Sequence, residues 1–249
     1  MIDFTQINPE SDVILIDKPY SWTSFNVVGK VKSGLKYLHK KKIKVGHAGT
    51  LDPLATGLLL VCVGSATKKI EEFQAQEKEY TGTFVLGATT PCFDMEKPVD
   101  QRFPYEHITR EMAEQVIQTS FSGEIEQTPP LFSAVKVDGK RAFNYARQGE
   151  TVELQPKKIQ ISCFKITRFE LPEIDFLIRC SKGTYIRSIA RDFGVCLNSG
   201  AYLSALRRTA IGTFFVADAF QLAEENCSRA ELLERFVAGK KKESIIRQY

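Results

Sequence analysis

The residues best suited to chemistry lie between Lys44 and Lys69, where Gly46, Gly49, Asp52, Pro53 and Gly57 surround a single carboxylate. Proline biases the residue before it away from the right-handed helical region, and glycine permits backbone conformations and close approaches closed to other residues. An apolar run, Leu58 to Val63, follows directly. The pattern predicts a shaped loop that presents Asp52 where the chain passes into a buried strand. A carboxylate fixed on such a loop is suited to work as a nucleophile or a base. Ordinary turn chemistry also accounts for an Asp-Pro step in a glycine-rich stretch, so spacing alone leaves both readings open.

The remaining composition narrows the chemistry. With 249 residues the chain can bury a sizeable core, as one large domain or two small ones. Its six cysteines (Cys62, Cys92, Cys163, Cys180, Cys196 and Cys227) form no Cys-x-x-Cys pair. Reduced, mostly buried thiols are expected rather than a zinc site or a disulfide framework. His39, His47 and His107 are too isolated in sequence to suggest a metal cluster. The glycine-rich loop lacks Gly-Lys-Ser/Thr and is not a nucleotide-binding P-loop. No metal or cofactor is expected. A formal charge of +4 is mildly basic and permits a polyanionic partner. Leu58 to Val63 is too short to span a membrane, and the N-terminus lacks the features of a signal peptide. The expectation is a cytoplasmic protein, by default a monomer.

Several elements must position the loop. Residues 12–17 read as a buried strand (Val13, Ile14, Leu15, Ile16) ending at Lys18-Pro19. A helix capped by Thr23 or Ser24 follows, with Val28, Val31, Leu35 and Leu38 on one face. His39 to Lys44 is a basic cluster, either a solvated loop or a set of phosphate contacts, and Lys68 and Lys69 extend that charge. Residues 79–87, beginning with Tyr80, have strand composition. An exposed connection is expected over 98–108, then a helix from Thr109 with Met112, Val116 and Ile117 on one face. Tandem prolines at 129–130 force an extended segment leading to a hairpin, with Lys136, Lys140, Arg141 and Arg147 adding positive charge. Residues 158–170 and 174–180 read as paired strands, with Ile174, Phe176, Ile178 and Cys180 on one face. Gly183 ends the strand and Thr184 opens a helix with Ile186, Ile189, Ala190 and Phe193 inward. Tyr185 and Arg187 then lie near its N-terminus. Ser228 to Glu231 is a capping-box signature for a last helix carrying Leu232, Leu233 and Phe236. Strands and helices mix without a regular βαβ rhythm, so the fold class expected is α+β.

Gly46 to Gly57, read as Gly-His-x-Gly-x-Leu-Asp-Pro-x-Ala-Thr-Gly, resembles the catalytic motif of the TruB family of tRNA pseudouridine synthases at every specified place. Asp17-Lys18-Pro19-x-x-x-Thr23-Ser24, Lys78-x-Tyr80, the Gln127-x-Pro-Pro segment, Cys180 to Gly194 and Leu203 to Phe214 resemble further family segments in the expected order. The resemblance covers roughly residues 12–218. It implies a pseudouridine synthase fold, a central mixed and largely antiparallel sheet flanked by helices. It also implies isomerisation of uridine to pseudouridine at position 55 in the T-arm loop of tRNA, without a cofactor.

By the same resemblance Asp52 assists cleavage of the C1′–N1 bond, while Tyr80, Tyr185 and Leu206 serve the base pocket. Arg187 pairs with Asp52, and His47 lies beside the flipped RNA loop. Core packing for Tyr80, Tyr185 and Leu206, a surface charge for Arg187 and a buried turn histidine for His47 are the plainer readings. Lys18, Lys68, Lys136, Arg147 and Arg208 join His47 as candidate RNA contacts. Two departures stand out. Thr90-Pro91-Cys92-Phe93-Asp94 replaces the common Thr-Asp-Thr-x-Asp, without the later glycine at Lys97, and Ala48 replaces a common threonine. The expected division is a catalytic region over 1–218 and a short tail over 219–249 with one helix, too short for the C-terminal RNA-binding domain of longer members. A catalytically silent tRNA-binding or tRNA-folding protein, and an Asp52-dependent hydrolase, stay open as alternatives.

Overall fold

A computed structural model describes residues 2–137, 139–150, 152–222 and 245–246. In chain order the elements are β1 (Ser11–Lys18), α1 (Ser24–His39), β2 (Val45–Ala48), β3 (Thr56–Gly64), α2 (Ile70–Ala75), β4 (Lys78–Leu86), β5 (Ala88–Thr89) and β6 (Gln101–Arg102). Then come α3 (Arg110–Ser120), β7 (Gly123–Gln127), β8 (Lys136–Val137), β9 (Lys140–Arg141), α4 (Ala142–Gln148), β10 (Lys157–Glu170) and β11 (Glu173–Cys180). The last are α5 (Ile186–Cys196), β12 (Ala201–Ile211), β13 (Phe214–Phe215), β14 (Phe220–Gln221) and β15 (Ile245–Ile246). The mixture is α+β, as the sequence predicts. The chain forms two compact units, one from residues 1–78 with 207–249 and the other from residues 79–206.

In the first unit β3 is the central strand. β1 pairs antiparallel along one edge, from Ser11↔Gly64 to Lys18↔Gly57. The other edge is shared: β2 pairs antiparallel at 60–63, and the end of β12 pairs parallel through Arg207↔Thr56 and Arg208↔Gly57. The continuous apolar runs of β1 and β3 arise because both sheet faces are covered. Ile14, Ile16, Leu59, Val61 and Val63 pack with Val27, Val31 and Leu35 of α1. Val13, Leu15, Leu58, Leu60 and Cys62 point the other way, against Phe73 of α2 and Phe214 of β13. Burial raises the Cys62 thiol to about 12, which suits an inert core residue. Cys62, Cys92 and Cys180 are buried, and the described cysteines are all free thiols.

Helix α1 starts with a capping box between Thr23 and Asn26. Its buried face is Ser24, Val27, Val28, Val31 and Leu35, whereas Leu38, which the periodicity places inward, is 39% exposed. Beyond the expected boundary at Asp218, β14 pairs parallel with β1, and Ala219, Phe220 and Leu222 are buried. β15 pairs antiparallel with the same strand. The helix expected from Ser228 lies outside the described residues.

In the second unit the strand order is β12, β4, β11, β10, β7. β10 and β11 are antiparallel, as expected, and Ile174, Phe176, Ile178 and Cys180 are buried while their neighbours are not. Helix α3 is capped by Thr109 and buries Ala113 and Ile117, leaving Met112 exposed. The extended proline segment leads into the β8–β9 hairpin. An aromatic core ties the sheet to its helices. Phe84 stacks on Phe176 at 4.2 Å between ring centroids, and Phe193 of α5 lies 5.8 Å from both Phe84 and Phe164. Truncating Phe84 to alanine removes the ring at the centre of this cluster, and the expected cost is about 3–5 kcal/mol of folding stability. Urea denaturation of Phe84→Ala measures it, and a change under about 1 kcal/mol contradicts the packing described.

Candidate active site

Asp52 lies in the connection from β2 to β3. Its carbonyl accepts a hydrogen bond from Ala55 N at 3.1 Å, so residues 52–55 form a β-turn with Pro53 at its second position. The turn chemistry and the functional reading therefore coexist. Asp52 is half-buried.

The loop is fastened along its length by side chains from regular elements. Ser24, the first residue of α1, accepts from Leu51 N at 2.9 Å and donates to Leu51 O at 3.2 Å. Lys18 Nζ donates to Pro53 O at 3.2 Å, and also to Pro19 O at 2.9 Å and Trp22 O at 2.6 Å. Arg208 donates from Nε to Leu58 O at 2.8 Å and from Nη2 to Gly49 O at 2.9 Å. It thus ties the first carbonyl of the loop, at Gly49, to that of Leu58 in β3. The two cations flank one residue, because Lys18 and Arg208 are the register partners of Gly57 on either side. Gly57 has φ +103°, and a Cβ there would stand 2.2 Å from Arg208 O. Only glycine fits that row. On the opposite faces of β1 and β12, Arg207 binds Asp17 through both guanidinium nitrogens, at 3.0 and 2.7 Å.

The sequence reading puts Lys18 and Arg208 among the RNA contacts, and their environment corrects it. They are 0% and 1% exposed, with the named donors directed at backbone carbonyls, so they hold the loop rather than present charge on a surface. Burial pulls Lys18 down to about 8, partly offset by the charge of Asp52. Burial also lowers His47, and the charge of Arg208 adds to the effect. His47 is half-buried on β2.

In the second unit Tyr80 is 9% exposed on β4, and Leu206 is half-buried on β12. Tyr185 is the N-cap residue of α5, and its backbone is clasped by the Gln127 amide. Tyr185 N donates to Oε1 at 2.8 Å, and Gln127 Nε2 donates to Tyr185 O at 3.1 Å. Ser188 Oγ and Arg191 Nη2 both donate to Thr128 O, at 2.9 and 3.2 Å. The Gln-x-Pro-Pro segment is thereby docked on the start of α5.

Arg187 is 4% exposed, which removes the surface-charge reading. Its Nη1 donates to Cys92 O at 3.2 Å, Nη2 donates to Phe132 O at 3.1 Å, and Nε lies 3.5 Å from Asp94 Oδ2. Asp94 is itself buried and accepts from Glu96 N at 2.9 Å. The divergent loop at 90–94 therefore keeps its aspartate beside Arg187 despite its altered sequence. Sequence reasoning leaves Asp94 without a role and does not single out Gln127, although both lie in segments compared with the family pattern. Lys68 and Lys136 are exposed, as an RNA contact requires. Arg147 lies on α4, and its side chain is outside the described set.

Lys18 gives a pH signature. Below about pH 8 it is protonated in the folded and unfolded states alike, and the fold bears the cost of burying the ammonium. Between about 8 and 10.5 the unfolded chain binds more protons than the folded one, so this contribution to stability rises with pH. Urea denaturation of native protein and Lys18→Met at pH 7 to 10 should show the gap moving in favour of the native chain, by up to about 1.4 kcal/mol per pH unit. A gap that does not vary with pH contradicts the assignment.

Comparison with known proteins finds relatives over most of the chain. The family model described as "TruB family pseudouridylate synthase (N terminal domain)" matches residues 36–186. The chain is 55% identical over 215 residues to tRNA pseudouridine synthase B of Flavobacterium johnsoniae, an alignment covering 86% of this chain and 93% of that protein. It is 56% identical over 210 residues to the protein of the same name from Phocaeicola vulgatus, with 84% and 89% covered. Among solved structures, a chain of a Cbf5-Nop10-Gar1 complex superposes with a TM-score of 0.63 at 29% identity. That match covers 85% of this chain, which spans about half (52%) of the solved one. The glycine-rich loop built around Asp52 and the long matches at more than half identity lead to one conclusion: the chain belongs to the TruB family of pseudouridylate synthases.

Proposed function

We propose that this protein isomerises uridine to pseudouridine in tRNA, at position 55 of the T-arm loop, with Asp52 as the catalytic carboxylate. Family membership and relatives named tRNA pseudouridine synthase B support the reaction class. The observation that carries the assignment to Asp52 is its loop. The motif Gly46 to Gly57 is held by Ser24, Lys18 and Arg208 at Gly49, Leu51 and Pro53, and Arg208 also binds Leu58 just beyond it. A carboxylate on so constrained a backbone is preorganised for one position of a reacting atom.

The reaction is redox-neutral. The C1′–N1 bond breaks, the retained uracil turns, a C1′–C5 bond forms, C5 loses its proton and N1 gains one. Asp52 assists the glycosidic cleavage. A base paired or stacked in RNA must first leave its stack, and the Tyr80 ring offers a face for the extruded uracil. Tyr185 and Leu206 complete the base pocket in this reading, and Arg187 is the guanidinium that the family resemblance pairs with Asp52. His47 fills the space that the base vacates. Lys68, Lys136 and Arg147 contact phosphates. In this reading residues 1–218 are the catalytic region, and the protein works as a cytoplasmic monomer on tRNA. No helix among the described residues is long and apolar enough to cross a membrane.

Tritium release from T-arm RNA labelled at uridine C5 tests the assignment. The native chain should release tritium with the RNA mass otherwise unchanged, and Asp52→Asn should be slower by at least about a thousandfold. Equal release by both proteins removes Asp52 from the chemistry. Free uracil among the products would mark a hydrolase. A folded native protein that binds tRNA without releasing tritium would be a silent binding protein.

A further inference from the structure

The residues from Lys18 to Leu51 contain eight lysines and no carboxylate, although the whole chain carries a formal charge of only +4. The rest of the protein is therefore net acidic, and the positive charge is concentrated in the segment that leads into the Asp52 loop. Helix α1 occupies just under half of that segment and carries three of the eight lysines, Lys30, Lys32 and Lys36. Its inner face is consumed by the core through Val27, Val28, Val31 and Leu35.

The outer face has a definite pattern. At 3.6 residues per turn, Phe25, Gly29, Lys32 and Lys36 fall on one stripe, about 16 Å long. Phe25 is 78% exposed, the most exposed large apolar side chain among the described residues. Lys32 and Lys36 are exposed and carry no ion pair among the described residues. A Cβ at Gly29 would meet nothing within 4 Å, so the stripe is open between its aromatic and its cationic ends. Tyr20, 54% exposed, lies in the turn just before the helix.

The stripe also has a fixed position. Ser24 precedes Phe25 and binds both backbone polar groups of Leu51, the residue before Asp52. The aromatic end of α1 is thus anchored one residue from a contact with the catalytic loop, and the lysines lead away from it. Helix α1 carries no carboxylate, and its outer face combines two exposed lysines with an exposed ring. A cationic track ending in an exposed ring matches a single-stranded polyanion whose bases can stack.

We infer that the outer face of α1 binds the substrate RNA strand flanking the target uridine, Phe25 packing on a base or ribose and Lys32 and Lys36 contacting phosphates. The inference rests on the activity proposed above and adds a surface to it. About 16 Å of track matches four to five nucleotides at about 3.4 Å per charge along one strand.

The test is binding of T-arm RNA by fluorescence anisotropy in an Asp52→Asn background, with single-turnover tritium release measured in the native background. Lys32→Ala/Lys36→Ala should weaken binding about tenfold. The slope of log K against log salt should shrink by about 1.4 to 1.8, two phosphate contacts' worth. Phe25→Ala should weaken binding about fivefold or more with the slope unchanged. Saturating single-turnover rates should stay native in all of them. Lys97→Ala/Lys165→Ala, which removes two exposed lysines elsewhere, controls for net charge. Stripe variants that bind within twofold of native, or no worse than this control, overturn the inference while native tritium release leaves the proposed activity standing. A native chain that neither binds T-arm RNA nor releases tritium overturns both.

Discussion

The loop that carries Asp52 depends on two buried cations directed at its backbone. Lys18 and Arg208 are register partners of the same glycine, from opposite sides, and both direct donors at carbonyls of the loop or its mouth. Burying an ammonium or a guanidinium is costly unless its N–H groups find acceptors, and buried carbonyls are costly without donors. Each requirement partly offsets the other here. The arrangement needs β1, β3 and β12 in their observed register, and it needs Gly57, whose missing side chain lets the Arg208 backbone close against β3. In that register alternate apolar residues of β1 and β3 enter two separate covered cores.

The second unit repeats the device with different residues. Arg187 and Gln127 project from regular elements and direct their polar atoms at backbone groups of irregular segments. Arg187 reaches carbonyls on two separate loops, at Cys92 and Phe132, and its Nε lies 3.5 Å from Asp94 Oδ2. A loop held through its backbone tolerates changes of side chain. That explains how Thr90 to Asp94 departs from the family pattern yet keeps the aspartate beside the arginine. Phe93 takes a left-handed conformation, φ 63°, and lies under the Arg191 guanidinium at 5.0 Å.

Much of the fold is legible in the sequence where one physical rule dominates. The apolar runs of β1 and β3, the alternation in β11 and the threonine caps of α1 and α3 all lead to the observed elements. Leu38 and Met112 show where periodicity misleads, because an apolar residue in the last or first turn of a helix can overhang the core it is assumed to join. The turn at Asp52 is readable from Asp-Pro and glycine alone. Its fastenings are not, since Arg208 meets Gly49 across 159 residues and no local pattern encodes such a pair. A lysine or arginine in a basic sequence reads by default as solvated or RNA-facing. Only the structure separates Lys18 and Arg208, which are buried, from Lys32 and Lys36, which are not.

Placement of Asp52 depends most heavily on preorganisation of its loop by Arg208. Arg208→Lys keeps a cation but cannot reach two carbonyls with a planar fork. Single-turnover tritium release at saturating T-arm RNA, paired with the dissociation constant of the same RNA, separates positioning from binding. In Arg208→Lys the rate should fall about a hundredfold, with the dissociation constant within twofold of native. A native rate in a folded Arg208→Lys protein, or a loss carried entirely by the dissociation constant, would contradict that dependence.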